Sequence, residues 1–245
     1  MSSMHDEAAR LERVARFRTR DRERNREAGI PDMELGDRHE PAQYFAQVGF
    51  LWLLDRIGRS EPDHDWSEDG GDEDDREKFL AARRVDHQRV ADWLREAEVT
   101  AIPNRHGCEI GGVRIMWADR VPALKVWAGQ QTLAKLVKQR QKALPKKVED
   151  VLACESPISG SSGLYKPCAT TALEDGFSID AAGMQRLTLV GMELLAILGL
   201  ETLAITVYPD GALGYDADGS RWTFRIEDRN DYYGRWSMAE RVRVS

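Results

Sequence analysis

Apolar residues recur at helical spacing in four stretches of the chain. In residues 41–57, PAQYFAQVGFLWLLDRI, the apolar positions are Tyr44, Phe45, Val48, Leu51, Trp52 and Leu54, and Pro41 suits the first turn of a helix. In residues 78–98, Leu80, Val90, Trp93 and Leu94 form the inward side of a second amphipathic helix. In residues 133–144, Leu133, Leu136, Val137 and Leu144 share one face, while Lys135, Lys138 and Lys142 share another. Residues 183–200 contain the most apolar stretch, MQRLTLVGMELLAILGL, read as one helix stopped near Gly199. Strand signals lie between and after these. Residues 108–110 and 113–117 flank Gly111-Gly112, the spacing of a β-hairpin with a two-residue turn. Residues 202–208, 212–215 and 221–226 alternate like strands, separated by turns at 209–211 and 216–219. Residues 156–166, SPISGSSGLYK, read as a loop. The class is α+β: helices packed with a β-hairpin and a small C-terminal antiparallel sheet. The division expected is a charged N-terminal helix or arm (1–35), a helical lobe (36–150) and an α+β lobe with an antiparallel meander (151–245), joined near 144–155.

Charge changes this picture in two places. The chain carries a formal net charge of -7, but residues 61–77 hold ten acids and one arginine. That local -9 leaves the remainder at +2. The acidic run is read as a solvated insertion, without the spacing of a calcium loop. Residues 120–147 are the opposite: they hold six of the eight lysines and no Asp or Glu. After Arg120, which opens the stretch, the cations are Lys125, Lys135, Lys138, Arg140, Lys142, Lys146 and Lys147. So clean a basic segment points to a polyanionic partner. At the N-terminus, eight arginines alternate with six acids over residues 1–28, a pattern for a solvated helix laced by ion pairs.

The polar chemistry is that of binding. Trp127 lies beside Lys125, with Gln130 and Gln131 following. Such a tryptophan can stack on a base while amides read its edge; burial of its large apolar area is the competing reading, and the weightier one. Asn104, Arg105, Ser159, Ser161 and Ser162 are further candidates for nucleic-acid contact by composition. A second candidate surface mixes Trp222, Tyr232, Tyr233 and Trp236 with Arg221, Arg225, Arg229 and Arg235, although a sheet core equally accounts for Trp222.

Catalytic and metal patterns are weak. Residues 160–163, Gly-Ser-Ser-Gly, are one residue short of a nucleophile elbow and lack the lysine of a phosphate-binding loop. A turn, or backbone N–H groups meeting a phosphate, are the two readings of that loop. The five histidines are scattered, with His87 expected in solvent and His106 expected in a turn. Glu174 and Asp175 suit a turn or cap. No nucleophile, base and orienter assemble, so no catalytic residue, cofactor or metal ligand is expected. The three cysteines form no C-x-x-C pair, which points to a reducing cytoplasm. No apolar run is long enough to cross a membrane, and the charged N-terminus is unlike a signal peptide.

Three segments together resemble one family. Residues 40–56, EPAQYFAQVGFLWLLDR, resemble an opening helix of pattern N-P-x-Q-x-x-A-x-x-G, with Glu40 in place of the asparagine. Residues 124–133, LKVWAGQQTL, resemble a segment in which leucine-lysine precedes W-A-G and a glutamine. Residues 172–200, with ALEDGFSIDA and then MELLAILGL, resemble a D-x-G-F-S segment followed by a helix ending in glycine-leucine. The family is the shorter large-subunit-type protein of subtype I-G (formerly I-U) CRISPR effector complexes. The resemblance spans about two-thirds of the chain. The acidic run is longer than the family pattern, and the chain is shorter at its C-terminal end.

That resemblance implies a cytoplasmic, non-catalytic subunit of an RNA-guided surveillance (Cascade) complex in antiviral defence. Its partners would be guide RNA, target double-stranded DNA, other Cascade subunits and a nuclease-helicase. Its roles would be recognition of the target-flanking motif and recruitment of that nuclease-helicase. Two readings compete: a small hydrolase using the loop from Ser159 to Gly163, and an adaptor whose acidic run competes with nucleic acid for a basic partner.

Overall fold

The two most apolar helices meet at the centre of the protein. The computed structural model describes residues 41–58, 73–125, 131–159, 185–217, 219–228, 234–237 and 239–242. Helix α1 (Pro41–Ile57) packs along α5 (Val190–Thr202), which is buried on every side save at Glu201. A helix apolar all round can only be a core helix. Two glycines set how close the pair comes. A Cβ on Gly49 would lie 1.9 Å from the Leu195 carbonyl oxygen, and one on Gly199 would lie 1.9 Å from that of Phe45. The helices therefore touch backbone to backbone.

Around this pair sit the other elements. Helix α2 (Glu73–Glu96) begins five residues before the expected Lys78 and buries Val90 and Leu94. Strands β1 (Val99–Ala101), β2 (Cys108–Ile110) and β3 (Val113–Ile115) form an antiparallel sheet in that order. The β2–β3 hairpin turns at Gly111 and Gly112, with φ of 53° and 75°. Both central residues need positive φ in such a turn, which is why two glycines stand there. A short helix α3 (Trp117–Arg120) and a 3-10 turn (Pro122–Leu124) lead towards α4 (Leu133–Ala143).

The C-terminal part is an antiparallel sheet packed on α1. Its order is β11 (Glu240–Val242), β8 (Ser220–Phe224), β7 (Leu213–Ala217) and β6 (Thr206–Val207). Strands β9 (Ile226–Asp228) and β10 (Gly234–Trp236) pair beside it. Tyr215 stacks on Tyr44 at 4.7 Å and meets Phe45 edge-on at 5.3 Å, and the Tyr44 hydroxyl donates to the Asp216 carbonyl at 2.9 Å. One buried cluster runs from Tyr44 through α5 to Ala239, so residues 36–150 and 151–245 share a core. Residues 1–35 lie outside the described residues.

The α+β class, the glycine hairpin and the C-terminal sheet are as the pattern predicts. Three expectations are corrected. The stretch read as one helix over 183–200 opens as strand β5 (Gln185–Leu189), and the helix starts at Val190. The alternation Arg-Leu-Thr-Leu over residues 186–189 is the strand period, and a neighbouring run of leucines hides it in a helical window. Its partner is β4 (Glu155–Ser159), within the segment read as a loop. Pro157 is tolerated there because the sheet has only two strands, both of them edges. At the other end α5 runs on to Thr202, and the next strand begins only at Thr206.

Candidate nucleic-acid interface

Helix α4 divides cleanly. Leu133, Leu136 and Val137 are fully buried, and Leu144 closes the same face just after the helix. Lys135, Lys138 and Lys142 are exposed, as are Lys146 and Lys147 in the turn that follows. At 3.6 residues per turn the three helical lysines fall within roughly a 60° stripe, about 10.5 Å long. The helix starts where Thr132 accepts the backbone N–H of Lys135 at 3.3 Å, a capping hydroxyl at the N-terminal boundary.

Arg140 is the exception among the expected contacts. It is wholly buried, its Nε donating to Glu193 on α5, and its Nη1 donating to Gln139 at 2.9 Å. The second Glu193 oxygen accepts the Thr188 hydroxyl at 2.9 Å. Arg140 lies on the buried stripe with Leu133, Leu136 and Val137, so its charge serves the α4–α5 contact and not a surface. Its place in the carboxylate-free segment set it among the lysines, although helical spacing puts it on the face of Leu133, Leu136 and Val137; its partner Glu193 lies 53 residues away.

The turn after α4 is held by α2. Gln88 donates to the Lys146 carbonyl at 3.0 Å and accepts from the Val148 N–H at 2.8 Å. Arg95 donates to the Pro145 carbonyl at 3.2 Å and also pairs with Asp92. Gln141 reaches back to the carbonyls of Leu94 and Ala97 at 2.7 and 2.9 Å. These bonds join the C-terminal ends of α2 and α4 around an open groove of about 510 Å³. Arg95, which the pattern reading missed, stands at this groove with Lys138, Lys142 and Lys146. Nothing in the sequence marks it, because its nearness to α4 is set by the fold.

The other expected contacts are spread. Lys125 lies before α4, its Nζ 3.3 Å from His106 Nε2. The opposite nitrogen of His106 is 3.5 Å from Asp119 Oδ1. Lys125 can donate to Nε2 only in the tautomer that carries the imidazole proton on Nδ1. Asn104 is engaged at both ends of its amide, donating to Asp119 and accepting the His106 N–H at 2.8 Å, so it builds the loop. Arg105 is exposed, and its carbonyl accepts the Leu133 N–H at 3.1 Å, tying this loop to the start of α4. Gln131 is exposed just before the helix. Trp127, Gln130, Ser161 and Ser162 lie outside the described residues, and Ser159 ends β4 opposite Gln185.

His87 departs from expectation. It is buried, stacks on Phe50 at 4.6 Å, and its Nδ1 accepts the Val151 N–H at 3.1 Å. The charged residues around it on α2 masked its inward position. On the second candidate surface Trp222 is buried in the sheet. Arg221 forks onto Asp216 and reaches the hydroxyls of Thr206 and Tyr208, which raises its pKa above the ordinary arginine value. Arg225 pairs with Asp210, whose carboxyl is held below the usual range by the Ala212 N–H and then by Arg225. These arginines brace the sheet with their own acids, unlike the α4 lysines. Tyr232, Tyr233 and Arg229 lie outside the described residues.

Among the described residues no three or more His, Cys, Asp or Glu side chains gather as a metal site, and no helix is long and apolar enough to cross a membrane. No family model, curated protein or solved structure matches the chain.

Proposed function

We propose that the chain is a non-catalytic, nucleic-acid-binding subunit of an RNA-guided type I CRISPR surveillance (Cascade) complex. The observation that carries this reading is the lysine stripe of α4, exposed on a segment without a single carboxylate. A helix locked down by its buried face, and bearing cations on the other, binds phosphates without reading sequence. The family resemblance supplies the setting. Two of its three segments supply α1 and α5, and the glycines that they bring, Gly49 and Gly199, meet at the helix crossing. Those positions thus have a packing reason to be glycine. In this reading guide RNA and target DNA meet the basic face, other subunits cover further surface, and a separate nuclease-helicase performs cleavage.

The test is to purify the tagged chain from its native host and sequence any bound RNA. A repeat-derived guide RNA with partner subunits is the expected result; nucleic-acid-free chain with no partners goes against it. In isolation, neutralising Lys135, Lys138 and Lys142 to Gln should weaken binding about equally across sequences. The slope of log affinity against log salt should fall by about 2, at about 0.7 per lost phosphate contact with a single strand.

A further inference from the structure

The groove between the C-terminal ends of α2 and α4 extends the lysine stripe around a corner. Its rim carries Arg95 from α2, Lys138 and Lys142 from α4, and Lys146 from the turn; Leu144 and Pro145 line it between them. Two acids oppose these cations: Asp92 pairs with Arg95, and an exposed Glu96 oxygen lies 3.9 Å from the same guanidinium. The cations remain in excess, and Lys147 adds to them from the adjacent turn. The shape is also fixed before any ligand arrives. Gln88 and Arg95 hold the backbone of the turn from α2, and Gln141 ties α4 to the same helix end.

We infer that this groove seats the sugar-phosphate backbone of a single-stranded nucleic acid, which runs along the α4 stripe and turns over Pro145 towards α2. The inference rests on the nucleic-acid-binding reading above and adds the strand type and two contacts, Arg95 and Lys146. A single strand is favoured by the space. At about 510 Å³ the groove has the size of a small-molecule site (roughly 300–1,000 Å³). A groove of that volume suits a single nucleotide unit and cannot enclose a duplex. A positively charged groove that tracks the backbone is one of the two parts of single-strand binding, the other being aromatic side chains that stack on bases; this groove supplies the first. The carbonyl ends of both helices carry partial negative charge, which Arg95, Lys142 and Lys146 offset, so it is their excess over that charge and over Asp92 and Glu96 that is left for an anion.

The test is fluorescence anisotropy of the intact chain with a short labelled oligouridylate across a salt series, repeated with duplex DNA. Lys146→Gln is the first variant. Its side chain is exposed and only its backbone serves the turn, so the fold should be untouched. Arg95→Gln is the second, with its melting temperature measured alongside. The expected result is weaker single-strand binding and a salt slope smaller by about 0.7 for Lys146→Gln, with duplex bound less tightly than single strand by the parent chain. Unchanged slopes in both variants, while the Lys135/Lys138/Lys142 neutralisation still weakens binding and lowers the slope, would overturn the groove and leave the α4 stripe standing. Loss of effect in that triple variant too would remove the nucleic-acid reading itself. Equal or tighter binding of duplex would overturn the single-strand assignment.

Discussion

Helices α4 and α5 pack against each other and show two ways for a helix to belong to a core. Helix α4 gives up one face and keeps a charged one in solvent. Helix α5 gives up everything but Glu201. The contact between them is made by the least expected residues: a buried arginine from the basic helix and a buried glutamate from the apolar one. A charge on a surface helix can thus serve either the partner in solution or the neighbour in the fold, and residue type does not separate the two. Burial does.

The strongest way to break the pair is to remove one member. Glu193→Ala would leave the Arg140 guanidinium buried without its carboxylate and the Thr188 hydroxyl without its acceptor. A buried charge stripped of its partner costs about 3–5 kcal/mol, measurable by urea denaturation. The double change Arg140→Met with Glu193→Leu should recover most of that loss, because apolar residues of similar volume replace a buried ion pair at little cost. A double-mutant cycle reports the coupling directly. If Glu193→Ala melts like the parent, the α4–α5 junction depends on its leucines alone.

The next change attacks α5 from the other side. Gly199→Ala puts a methyl where the Phe45 carbonyl oxygen stands, 1.9 Å from the new carbon. Neither atom is the tip of a flexible side chain, so the helices must part along their length. A cost near the upper end of overpacking, about 3 kcal/mol, is expected. Gly58→Ala is the control: nothing lies within 4 Å of its would-be Cβ, although its φ of 79° adds a local strain. That strain is of order 1 kcal/mol. The order Gly199 before Gly58, read by thermal melting, separates close approach from backbone conformation.

An effect confined to alkaline pH comes from Cys108, buried in β2. Burial, and then the charge of Glu201, push its thiol from the ordinary 9.0 up to about 12. The folded state therefore keeps its proton where the unfolded chain releases it. The sign follows: this contribution is full below pH 9.0 and is lost as pH rises towards about 12. Within that window stability should fall by up to about 1.4 kcal/mol per pH unit more steeply than in Cys108→Val. Equal slopes in the two proteins would show that the thiol titrates freely in the fold.

What the sequence made legible follows from the range of each interaction. The α4 split was legible because Leu133, Leu136, Val137 and the lysines carry a local period. The turn at Gly111-Gly112 was legible because positive φ is a property of one residue at a time. The roles of Arg140, His87 and Arg95 were not. Each depends on a partner from another element: Glu193, the Val151 N–H, and the Pro145 carbonyl. Strand β5 was hidden for a different reason, since its five residues run straight into a longer apolar helix and a window of helical length averages over both. The candidate site was therefore half readable. Its lysines were found from the pattern, and the groove that Arg95 completes was not.

The least effect on stability is expected where the effect on binding is largest. Lys138→Ala removes an exposed charge on the solvent stripe of α4, in a helix whose anchoring residues lie on the other face. Surface changes of this kind stay within about ±0.5 kcal/mol. Alanine is also the better helix former, by a few tenths. A slight rise in melting temperature with a clear loss of oligouridylate binding would mark Lys138 as a residue kept for its partner in solution. Arg140→Ala, two residues further along the same helix, should do the reverse and lower stability by leaving the buried Glu193 carboxylate without that guanidinium. If both changes lowered stability alike, the solvent face of α4 would be part of the fold after all, and the contrast between its two sides would fail.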